Sequence, residues 1–234
     1  MRAVLLAGGR GTRLRPYTTI IPKPLLPVGE RPIMEHIVRR LHASGVRRLD
    51  VCLGHLGELI QTYFAQAVRL PDDLELHWHW EDEPLGTAGA LKVVPQLDET
   101  FIAMNGDILT TVDYDELVRF HREREATLTV AMHARRVQID LGVIESSDGL
   151  ITGYREKPSL DYDVSMGIYV YEPRAVDHIP DGPFQFPDLV LALLVAGEAV
   201  AAYRSSAEWY DVGTFEELER ATRALDTEPE AFEA

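Results

Sequence analysis

Near its start the chain reads AGGRGTR, Ala7 to Arg13, directly after the apolar run Val4-Leu5-Leu6. A short apolar run of this kind predicts a buried strand, and the glycines predict a tight turn at its end. In open α/β folds such a turn lies at the carboxyl edge of the sheet, where ligands bind. Glycines let backbone N–H groups approach phosphate oxygens, and Arg13 adds a bidentate donor. The stretch therefore predicts an α/β fold with a phosphate-binding loop.

Two named phosphate loops do not fit this stretch. The dinucleotide fingerprint needs a third glycine where the chain has Leu14, and the acidic residue it needs about 20 positions later is not evident. The loop of nucleotide hydrolases needs Gly-Lys-Ser or Gly-Lys-Thr, whereas Gly11 is followed by Thr-Arg. A plain turn with solvated arginines is the alternative on these residues alone. However, residues 1–29 contain no acidic side chain and include Lys23, so the local charge favours a polyphosphate ligand.

The composition narrows the class of protein. The chain has 234 residues with a net charge of −15 and 46% hydrophobic residues, enough for a sizeable core in one domain. Its acidity repels nucleic acid and anionic membranes, and no apolar run reaches the roughly 18 to 20 residues of a membrane span. No leader is evident, so we expect a cytoplasmic protein. The single cysteine, Cys52, cannot form an intramolecular disulfide and is expected in the core.

Apolar runs and amphipathic patterns alternate along the first half of the chain. They predict strands at residues 2–6, 49–53, 74–80, 101–104 and 127–133, and helices at residues 33–44, 59–66, 87–94 and 114–124. Such an alternation implies parallel strands with helices on both faces of the sheet. We therefore expect a Rossmann-like α/β fold with a mixed, mainly parallel sheet.

The second half has a different pattern. A hairpin is predicted where residues 141–145 and 150–155 flank Ser147-Asp148-Gly149, followed by a strand at 165–171 and helices at 187–196 and 215–225. No linker or repeat is visible, so residues 1–225 are expected to form a single domain. The acidic tail, residues 226–234, is expected to fray.

Two local assignments depend on residue type. Asp113 precedes a predicted helix and is expected to cap it. His77 and His79 share one face of a predicted strand, but they lack a third metal ligand and are interpreted as surface residues.

Several longer motifs resemble those of one family. They are Leu6-Ala7-Gly8-Gly9-Arg10-Gly11-Thr12-Arg13-Leu14-Arg15-Pro16, Pro22-Lys23-Pro24-Leu25-Leu26-Pro27-Val28, Glu83-Pro84-Leu85-Gly86-Thr87-Ala88-Gly89-Ala90, Asn105-Gly106-Asp107, Gly142-Val143-Ile144, Arg155-Glu156-Lys157-Pro158, Met166-Gly167-Ile168-Tyr169 and Trp209-Tyr210-Asp211-Val212-Gly213-Thr214. In this order they resemble the signatures of the sugar-1-phosphate nucleotidyltransferases, the nucleoside-diphosphate-sugar pyrophosphorylases. The resemblance implies the nucleotide-diphospho-sugar transferase fold and an enzyme that joins an NTP to a sugar 1-phosphate, releasing pyrophosphate.

The resemblance also implies roles for individual residues. Arg13 and Lys23 are the expected catalytic residues, with Arg13 neutralising the β and γ phosphates and Lys23 placed at the α phosphate. The residues expected to bind the nucleotide are Leu6, Ala7, Gly8, Gly9, Gly11, Thr12, Arg13, Lys23, Glu83, Pro84, Gly86, Thr87 and Asp107. The residues expected to bind the sugar phosphate are Asn105, Gly142, Glu156, Lys157 and Ser165. Asp107 and Asp211 are the expected protein ligands of a Mg²⁺ cofactor, since hard carboxylate oxygens suit this ion.

The same motifs bear on the choice of substrates. Gly-Thr-Ala-Gly at residues 86–89 resembles the guanylyltransferases for mannose or heptose 1-phosphate, whereas short thymidylyltransferases usually carry Gly-Leu-Ala-Gln there. GTP is therefore the favoured nucleotide. The alternatives are a thymidylyl- or uridylyltransferase for glucose 1-phosphate or a related sugar, and a non-catalytic nucleotide-sugar sensor. The sequence leaves open whether the protein forms a homo-oligomer. Many family members carry Asn in place of Ser165, which leaves the sugar undecided.

Overall fold

The computed structural model describes residues 1–232, which form thirteen β-strands and eight α-helices. The strands are β1 (Arg2–Ala7), β2 (Pro27–Val28), β3 (Arg31–Pro32), β4 (Arg48–Leu53), β5 (Glu75–Trp80), β6 (Phe101–Asn105), β7 (Ile108–Thr110), β8 (Leu128–Gln138), β9 (Val143–Ser147), β10 (Leu150–Arg155), β11 (Ser159–Tyr171), β12 (Val200–Ser205) and β13 (Trp209–Asp211). The α-helices are α1 (Ile33–Ala43), α2 (Gly57–Gln66), α3 (Gly86–Gly89), α4 (Tyr114–Glu123), α5 (Pro173–Val176), α6 (Phe186–Val195), α7 (Phe215–Thr227) and α8 (Pro229–Phe232). Single 3₁₀ turns occur at Thr12–Leu14, Tyr17–Thr19, Lys23–Leu25 and Ala90–Val93.

A central sheet carries the fold. Its strand order is β12-β8-β11-β6-β1-β4-β5. Neighbouring strands from β6 through β1 and β4 to β5 are parallel, and β12 is parallel to β8. Only β11 runs antiparallel to its two neighbours in this sheet, β6 and β8. The mixed, mainly parallel sheet predicted from the sequence is therefore confirmed.

Both faces of the sheet are covered. Along β1, Leu5 belongs to a core shared with α1, α4 and α7, whereas Val4 belongs to a second core shared with α3, α5 and α6. This division follows from the strand period, because successive side chains point to opposite faces. Cys52 of β4 is fully buried in the second core, as expected. Burial on both faces explains why the central strands read as continuous apolar runs rather than as alternating ones.

Several predicted boundaries were wrong. β8 and β11 extend well beyond residues 127–133 and 165–171 to form an exposed arm (residues 134–163) that also carries the β9–β10 hairpin. Arg136 pairs with Asp161 across these outer strands, with Nε 2.8 Å from Oδ1, so polar residues continue the pairing after the apolar pattern has ended. The helix predicted at 87–94 is shorter, since α3 gives way to a 3₁₀ turn at Ala90.

The C-terminal segment also differs from the expectation that it would fray. Helix α7 continues to Thr227, and α8 follows at once. Phe232 is 2% exposed and its ring packs beside Tyr210, with centroids 6.4 Å apart. Burial of this one aromatic side chain outweighs the acidity of the segment. Residues 233–234 lie outside the described part of the chain.

Of the predictions for single residues, that for Asp113 was confirmed and that for His79 was wrong. Asp113 caps α4 as predicted, because its Oδ1 accepts a hydrogen bond of 2.9 Å from the Glu116 N–H. His79 is not a surface residue, since its Nε2 lies 2.7 Å from Oδ1 of Asp50, a fully buried residue of β4. The neighbouring parallel strands β4 and β5 place these two side chains together, a contact that the sequence of one strand does not reveal.

Asp50 is the centre of a buried charge cluster. Its Oδ2 accepts a 2.7 Å hydrogen bond from Arg2 Nε, and Arg2 also donates to the backbone carbonyl of Pro95 at 2.9 Å. Burial alone would raise the pKa of Asp50, but hydrogen bonds from Arg2 and His79 lower it below its usual value. The cluster lies in the sheet and ties β1, β4 and β5 together.

We expect Asp50→Ala to lower the free energy of unfolding by about 3 to 5 kcal/mol, because it leaves Arg2 buried without its partner. Urea denaturation measures the change. Because the pKa of Asp50 is lower in the folded state, the pair stabilises the fold above the unfolded pKa of about 3.9 and loses its effect as the pH falls through the folded value. Asp73→Ala, which removes an exposed carboxylate, serves as the control; equal effects of the two variants would contradict the assignment.

Candidate active site

A cavity of about 370 Å³ opens at the carboxyl edge of the central parallel strands. The loop after β1, Glu81 after β5 and Asp107 after β6 meet there, because parallel strands end at the same edge of a sheet. Predicted site residues that line the cavity are Leu6, Ala7, Gly8, Gly9, Gly11, Thr12, Arg13, Lys23, Pro84, Gly86, Thr87, Asn105 and Asp107. Lining residues that the sequence analysis did not predict are Pro24, Glu81, Ala90, Gly106 and Gln185.

The glycine-rich loop owes its shape to one left-handed residue. Gly11 has φ 57°, and its carbonyl accepts a 2.7 Å hydrogen bond from Thr18 Oγ1. A Cβ at Gly11 would come within 3.2 Å of the Cβ of Lys23 and as near to Thr18. Gly11 thus lets the loop fold back onto the segment that carries Lys23. The loop leads into a 3₁₀ turn at Thr12–Leu14, so its phosphate-binding capacity comes from loop backbone and cationic side chains.

Lys23 lies at the base of the cavity between two carboxylates. It is 8% exposed, forms an ion pair with Oδ2 of Asp107, and has its Nζ 3.6 Å from Oδ1 of Asp211. The two aspartates come from separate segments, Asp107 in the turn between β6 and β7 and Asp211 at the end of β13. β13 pairs with β7, which places Asp211 opposite Ile108 and hence beside Asp107. The structure therefore brings together the three residues that were predicted to act at the reacting phosphate.

The two aspartates fit a divalent cation. Oδ1 of Asp107 is buried and has no hydrogen-bond partner, while Oδ2 is held by Lys23. Burial raises the pKa of Asp107, and Asp211 raises it further, although Lys23 acts in the opposite direction. No group of three or more His, Cys, Asp or Glu side chains within residues 1–232 could hold a metal ion. A cation held here would thus need ligands from a substrate as well, as Mg²⁺ commonly has.

Arg13 forms the exposed rim of the same site. Its guanidinium lies against Gly213, where a Cβ would come within 2.9 Å of Nη2. Gly213 follows Asp211 by two residues, so Arg13 and the two aspartates border one region. An exposed, planar donor beside a glycine-rich loop is suited to a phosphate entering from solvent.

Glu81 is a cavity residue that the sequence analysis missed. Its Oε2 accepts a 3.0 Å hydrogen bond from the Leu85 N–H, and its Oε1 occupies the space where a Cβ at Gly8 would lie. Burial raises the pKa of Glu81, although the Leu85 N–H partly offsets this. The order of strands could have indicated Glu81, because it follows β5 at the same edge of the sheet where Asp107 follows β6.

Gln185 also lines the cavity and was not predicted from the sequence. A Cβ at Gly86 would come within 2.6 Å of Gln185 Nε2, and Thr87 Oγ1 accepts a 3.0 Å hydrogen bond from the Phe186 N–H. The Phe184 carbonyl accepts hydrogen bonds from the backbone of α3, including one of 2.9 Å from Gly89. The start of α6 thus holds residues 85–89 in place. This contact spans about a hundred residues and has no local sequence signal.

Six of the predicted site residues do not line the cavity, namely Glu83, Gly142, Glu156, Lys157, Ser165 and Asp211. Glu83 is exposed beside it, and Asp211 reaches it only through Lys23. Glu156 and Lys157 follow β10 on the exposed arm, where Glu156 Oε2 accepts a 3.0 Å hydrogen bond from Tyr154 Oη. The backbone of Lys157 has φ 42°, an uncommon conformation for a side chain of this size.

The other residues predicted to bind the sugar phosphate lie partly on the arm and partly at the cavity. Gly142 lies under the Tyr154 hydroxyl, which occupies the place of a Cβ, so a side chain at residue 142 would have to displace the exposed Tyr154 ring. Ser165 Oγ accepts a 3.3 Å hydrogen bond from the Gly167 N–H. Gly167 in turn has φ 73° and lies against Asn105, where a Cβ would come within 2.7 Å of Nδ2. Gly167 lies within β11, where the pairing with β8 is irregular between Ser165 and Tyr169, and this irregularity links Ser165 to the cavity through Asn105.

Comparison with known proteins identifies relatives over nearly the whole chain. Residues 2–228 match the model of the nucleotidyl transferase family. The chain is 32% identical over 96% of its length to the UTP–glucose-1-phosphate uridylyltransferase of a Synechocystis species, and 30% identical over 91% to the mannose-1-phosphate guanylyltransferase catalytic subunit beta of Danio rerio. It spans 63% and 61% of the length of these two relatives.

The fold agrees with a solved structure, and no membrane-crossing element is found. The crystal structure of HddC from Yersinia pseudotuberculosis superposes with a TM-score of 0.74 at 23% identity, covering 96% of this chain and 99% of that one. Within residues 1–232, no helix has the length and apolar character needed to cross a bilayer. The sheet, the loop after β1 and the match over residues 2–228 agree: this chain belongs to the nucleotidyl transferase family.

Proposed function

We propose that this protein is a sugar-1-phosphate nucleotidyltransferase. The observation that carries the proposal is the buried Lys23, paired with Asp107 and near Asp211, at the base of a cavity roofed by a glycine-rich loop. In the reaction, an oxygen of the sugar 1-phosphate attacks the α phosphorus of an NTP. A new P–O bond forms, the bond from the α phosphorus to the bridging oxygen breaks, and pyrophosphate leaves with that electron pair.

No general base is needed for this step. A phosphate monoester has its second pKa near 6, so the sugar phosphate is largely a dianion at neutral pH. The task is to bring two polyanions together and to stabilise the charge that develops on pyrophosphate. Residues 8–12 supply backbone N–H groups for the triphosphate, Arg13 neutralises its outer phosphates, and Lys23 acts at the α phosphate.

Asp107 and Asp211 would hold the Mg²⁺ cofactor. The buried, unpartnered Oδ1 of Asp107 supports this assignment, as does the placement of both carboxylates beside Lys23. When bound, Mg²⁺ supplies Lewis-acid charge to the phosphates and so offsets repulsion between the substrates.

The sugar phosphate is assigned to the open side of the cavity. Lys157 would bind its phosphate, and Glu156 can accept hydrogen bonds from two sugar hydroxyls. Gly142, Ser165 and Asn105 complete this half of the proposed site. Asn105 supports the placement because it lines the cavity while lying against Gly167, which follows Ser165 on β11.

Glu81 supports GTP as the nucleotide. A carboxylate only accepts hydrogen bonds, and guanine presents two adjacent donors on its Watson–Crick edge, N1–H and the N2 amino group. Uracil and thymine present one donor between two acceptors, which would face the carboxylate unfavourably. Glu81 is half-buried, and an acceptor placed against another acceptor there is costly, so this residue discriminates against uracil and thymine.

The relatives' names support the reaction class but divide on the substrates. The guanylyltransferase relative acts on mannose 1-phosphate by its name, which agrees with our choice of GTP and a mannose- or heptose-type sugar 1-phosphate. The Synechocystis relative, at 32% identity, favours a second candidate, a uridylyltransferase for glucose 1-phosphate.

A panel assay of pyrophosphate release tests the proposal. With Mg²⁺ present, each of GTP, UTP, dTTP, CTP and ATP is combined with mannose, glucose or heptose 1-phosphate. We expect release only when both substrates are present and fastest with GTP. Binding of nucleotide sugars without release from any pair would instead indicate a sensor.

Glu81→Gln tests the base assignment. We expect it to lower kcat/KM for GTP by about 10- to 100-fold, because a charged acceptor of two donors is lost, and to lower kcat/KM for UTP much less. The ratio of the two values is the measurement. Asp82→Asn removes the same charge from an exposed neighbour and should leave the ratio unchanged. A Glu81→Gln variant with the wild-type ratio would remove Glu81 from base selection.

A further inference from the structure

Lys23 occupies the place that a metal ion would need. Its ammonium holds Oδ2 of Asp107 and lies 3.6 Å from Oδ1 of Asp211. We propose that Lys23 and a divalent cation exchange at this position: Lys23 neutralises the two carboxylates while no metal is bound, and is released toward the phosphate cavity when the carboxylates take the metal. This inference rests on the proposed function for the identity of the cation, but not on turnover.

The charges at the site require a cation in either state. Asp107 is partly buried beside Asp211, and two carboxylates close together repel each other unless a positive charge lies between them. Lys23 supplies that charge and is itself 8% exposed, so it too depends on the pair. Of the carboxylate oxygens of Asp107, one is held by Lys23 and the other is buried without a partner.

A metal ion and the Lys23 ammonium compete for these carboxylates. Both are cations that bind the same oxygens, and at contact distance within a partly buried site they repel each other strongly. The divalent ion carries the greater charge and accepts several oxygen ligands, whereas the ammonium binds as a single charge on a flexible stem. Lys23 is therefore the group that moves.

The structure gives Lys23 a place to go. Its backbone is fixed by a 3₁₀ turn, Lys23–Leu25, and by the close approach of Gly11, so only the side chain needs to rotate. The residue already lines the cavity that the glycine-rich loop borders. Release of Lys23 and binding of the metal would deliver both cations to the nucleotide phosphates together. Without metal, Lys23 stays withheld, and the phosphates lack both charges.

Mn²⁺ binding in the absence of nucleotide provides the first test. Free Mn²⁺ is measured by electron paramagnetic resonance for the wild type, Lys23→Gln and the matched control Lys92→Gln, which removes the same charge from an exposed side chain that does not line the cavity. We expect Lys23→Gln to bind Mn²⁺ at least ten times more tightly than the wild type, and Lys92→Gln to match the wild type. No gain in Lys23→Gln, including no binding by either protein, would overturn the exchange.

Lysine labelling separates exchange from simple repulsion. The chain contains only three lysines, Lys23, Lys92 and Lys157, so each can be followed by mass spectrometry after a brief pulse of acetic anhydride. At the Mn²⁺ concentration that saturates the wild type, we expect acetylation of Lys23 to rise several-fold while Lys92 and Lys157 stay constant. Unchanged or reduced labelling of Lys23 would show that it remains in place and would contradict the proposal. Neither readout uses turnover, so both can succeed even if the proposed reaction fails.

Discussion

Lys23→Ala is expected to lower kcat by about 100- to 1,000-fold. The reason is that, in the proposed reaction, its ammonium would stabilise charge at the α phosphorus from a buried position, where electrostatic groups act most strongly. Pyrophosphate release from the preferred substrate pair measures the effect. Lys92→Ala, which removes an exposed lysine outside the cavity, should keep the wild-type rate.

The fold of the variant must be checked separately. Removing Lys23 leaves Asp107 and Asp211 facing each other, so Lys23→Met is included because it preserves the stem that fills the space. Circular dichroism and thermal unfolding should show both variants folded. A folded Lys23→Ala or Lys23→Met enzyme with a near-normal rate would exclude Lys23 from the reaction.

Removal of divalent metal is the second change with a large expected effect. EDTA should abolish pyrophosphate release, and added Mg²⁺ should restore it, because the proposed two-aspartate site would then lose the ion that would offset repulsion between two polyanionic substrates. Asp107→Asn should have a similar effect and lower kcat by about 100-fold. Asp115→Asn, an exposed carboxylate on α4, is the control and should have the wild-type rate.

Metal-independent turnover would contradict the two-aspartate site. So would an Asp107→Asn variant whose Mg²⁺ dependence matches that of the wild type. Should EDTA act while the Asp107→Asn variant stays active, the metal would bind through the substrates alone. The roles of Asp107 and Asp211 would then be structural, as counter-charges for Lys23.

Much of the fold could be predicted because its signals are local. The apolar run of β1 ending in a glycine-rich turn, and the alternation that follows, indicate a parallel sheet with a ligand site at one edge. The reach of β8 and β11 could not be predicted, since the outer strands pair through polar contacts such as Arg136 with Asp161. The burial of Phe232 was missed for a related reason, because its acidic neighbours dominate the local pattern.

The residues of the candidate site also differ in whether a local sequence signal predicts them. Lys23 and Asp107 are carried by short motifs, and the structure brings them into contact. Glu81 lies outside the family motifs but follows β5 as Asp107 follows β6, so the topology could have indicated it. Gln185 reaches the site through contacts across about a hundred residues, which no local pattern encodes.

The placement of the residues proposed to bind the sugar phosphate depends most on tertiary structure. Glu156 and Lys157 lie on the arm rather than on the cavity wall, so their distance from Lys23 is set by how β8 and β11 carry the arm. Residue type alone predicts that a lysine and a glutamate suit a sugar phosphate. It does not predict where the sheet places them.

Phosphorus NMR of one reaction mixture tests the central claim most directly. The protein is combined with Mg²⁺, GTP and mannose 1-phosphate, and the resonances are followed with time and compared with mixtures that lack either substrate. We expect equal amounts of pyrophosphate and a new sugar-linked diphosphate, formed only in the complete mixture. The heptose and glucose phosphates and UTP are tested in turn. Inorganic phosphate or pyrophosphate formed without the sugar, or no change with any pair while the nucleotides bind, would contradict nucleotidyl transfer.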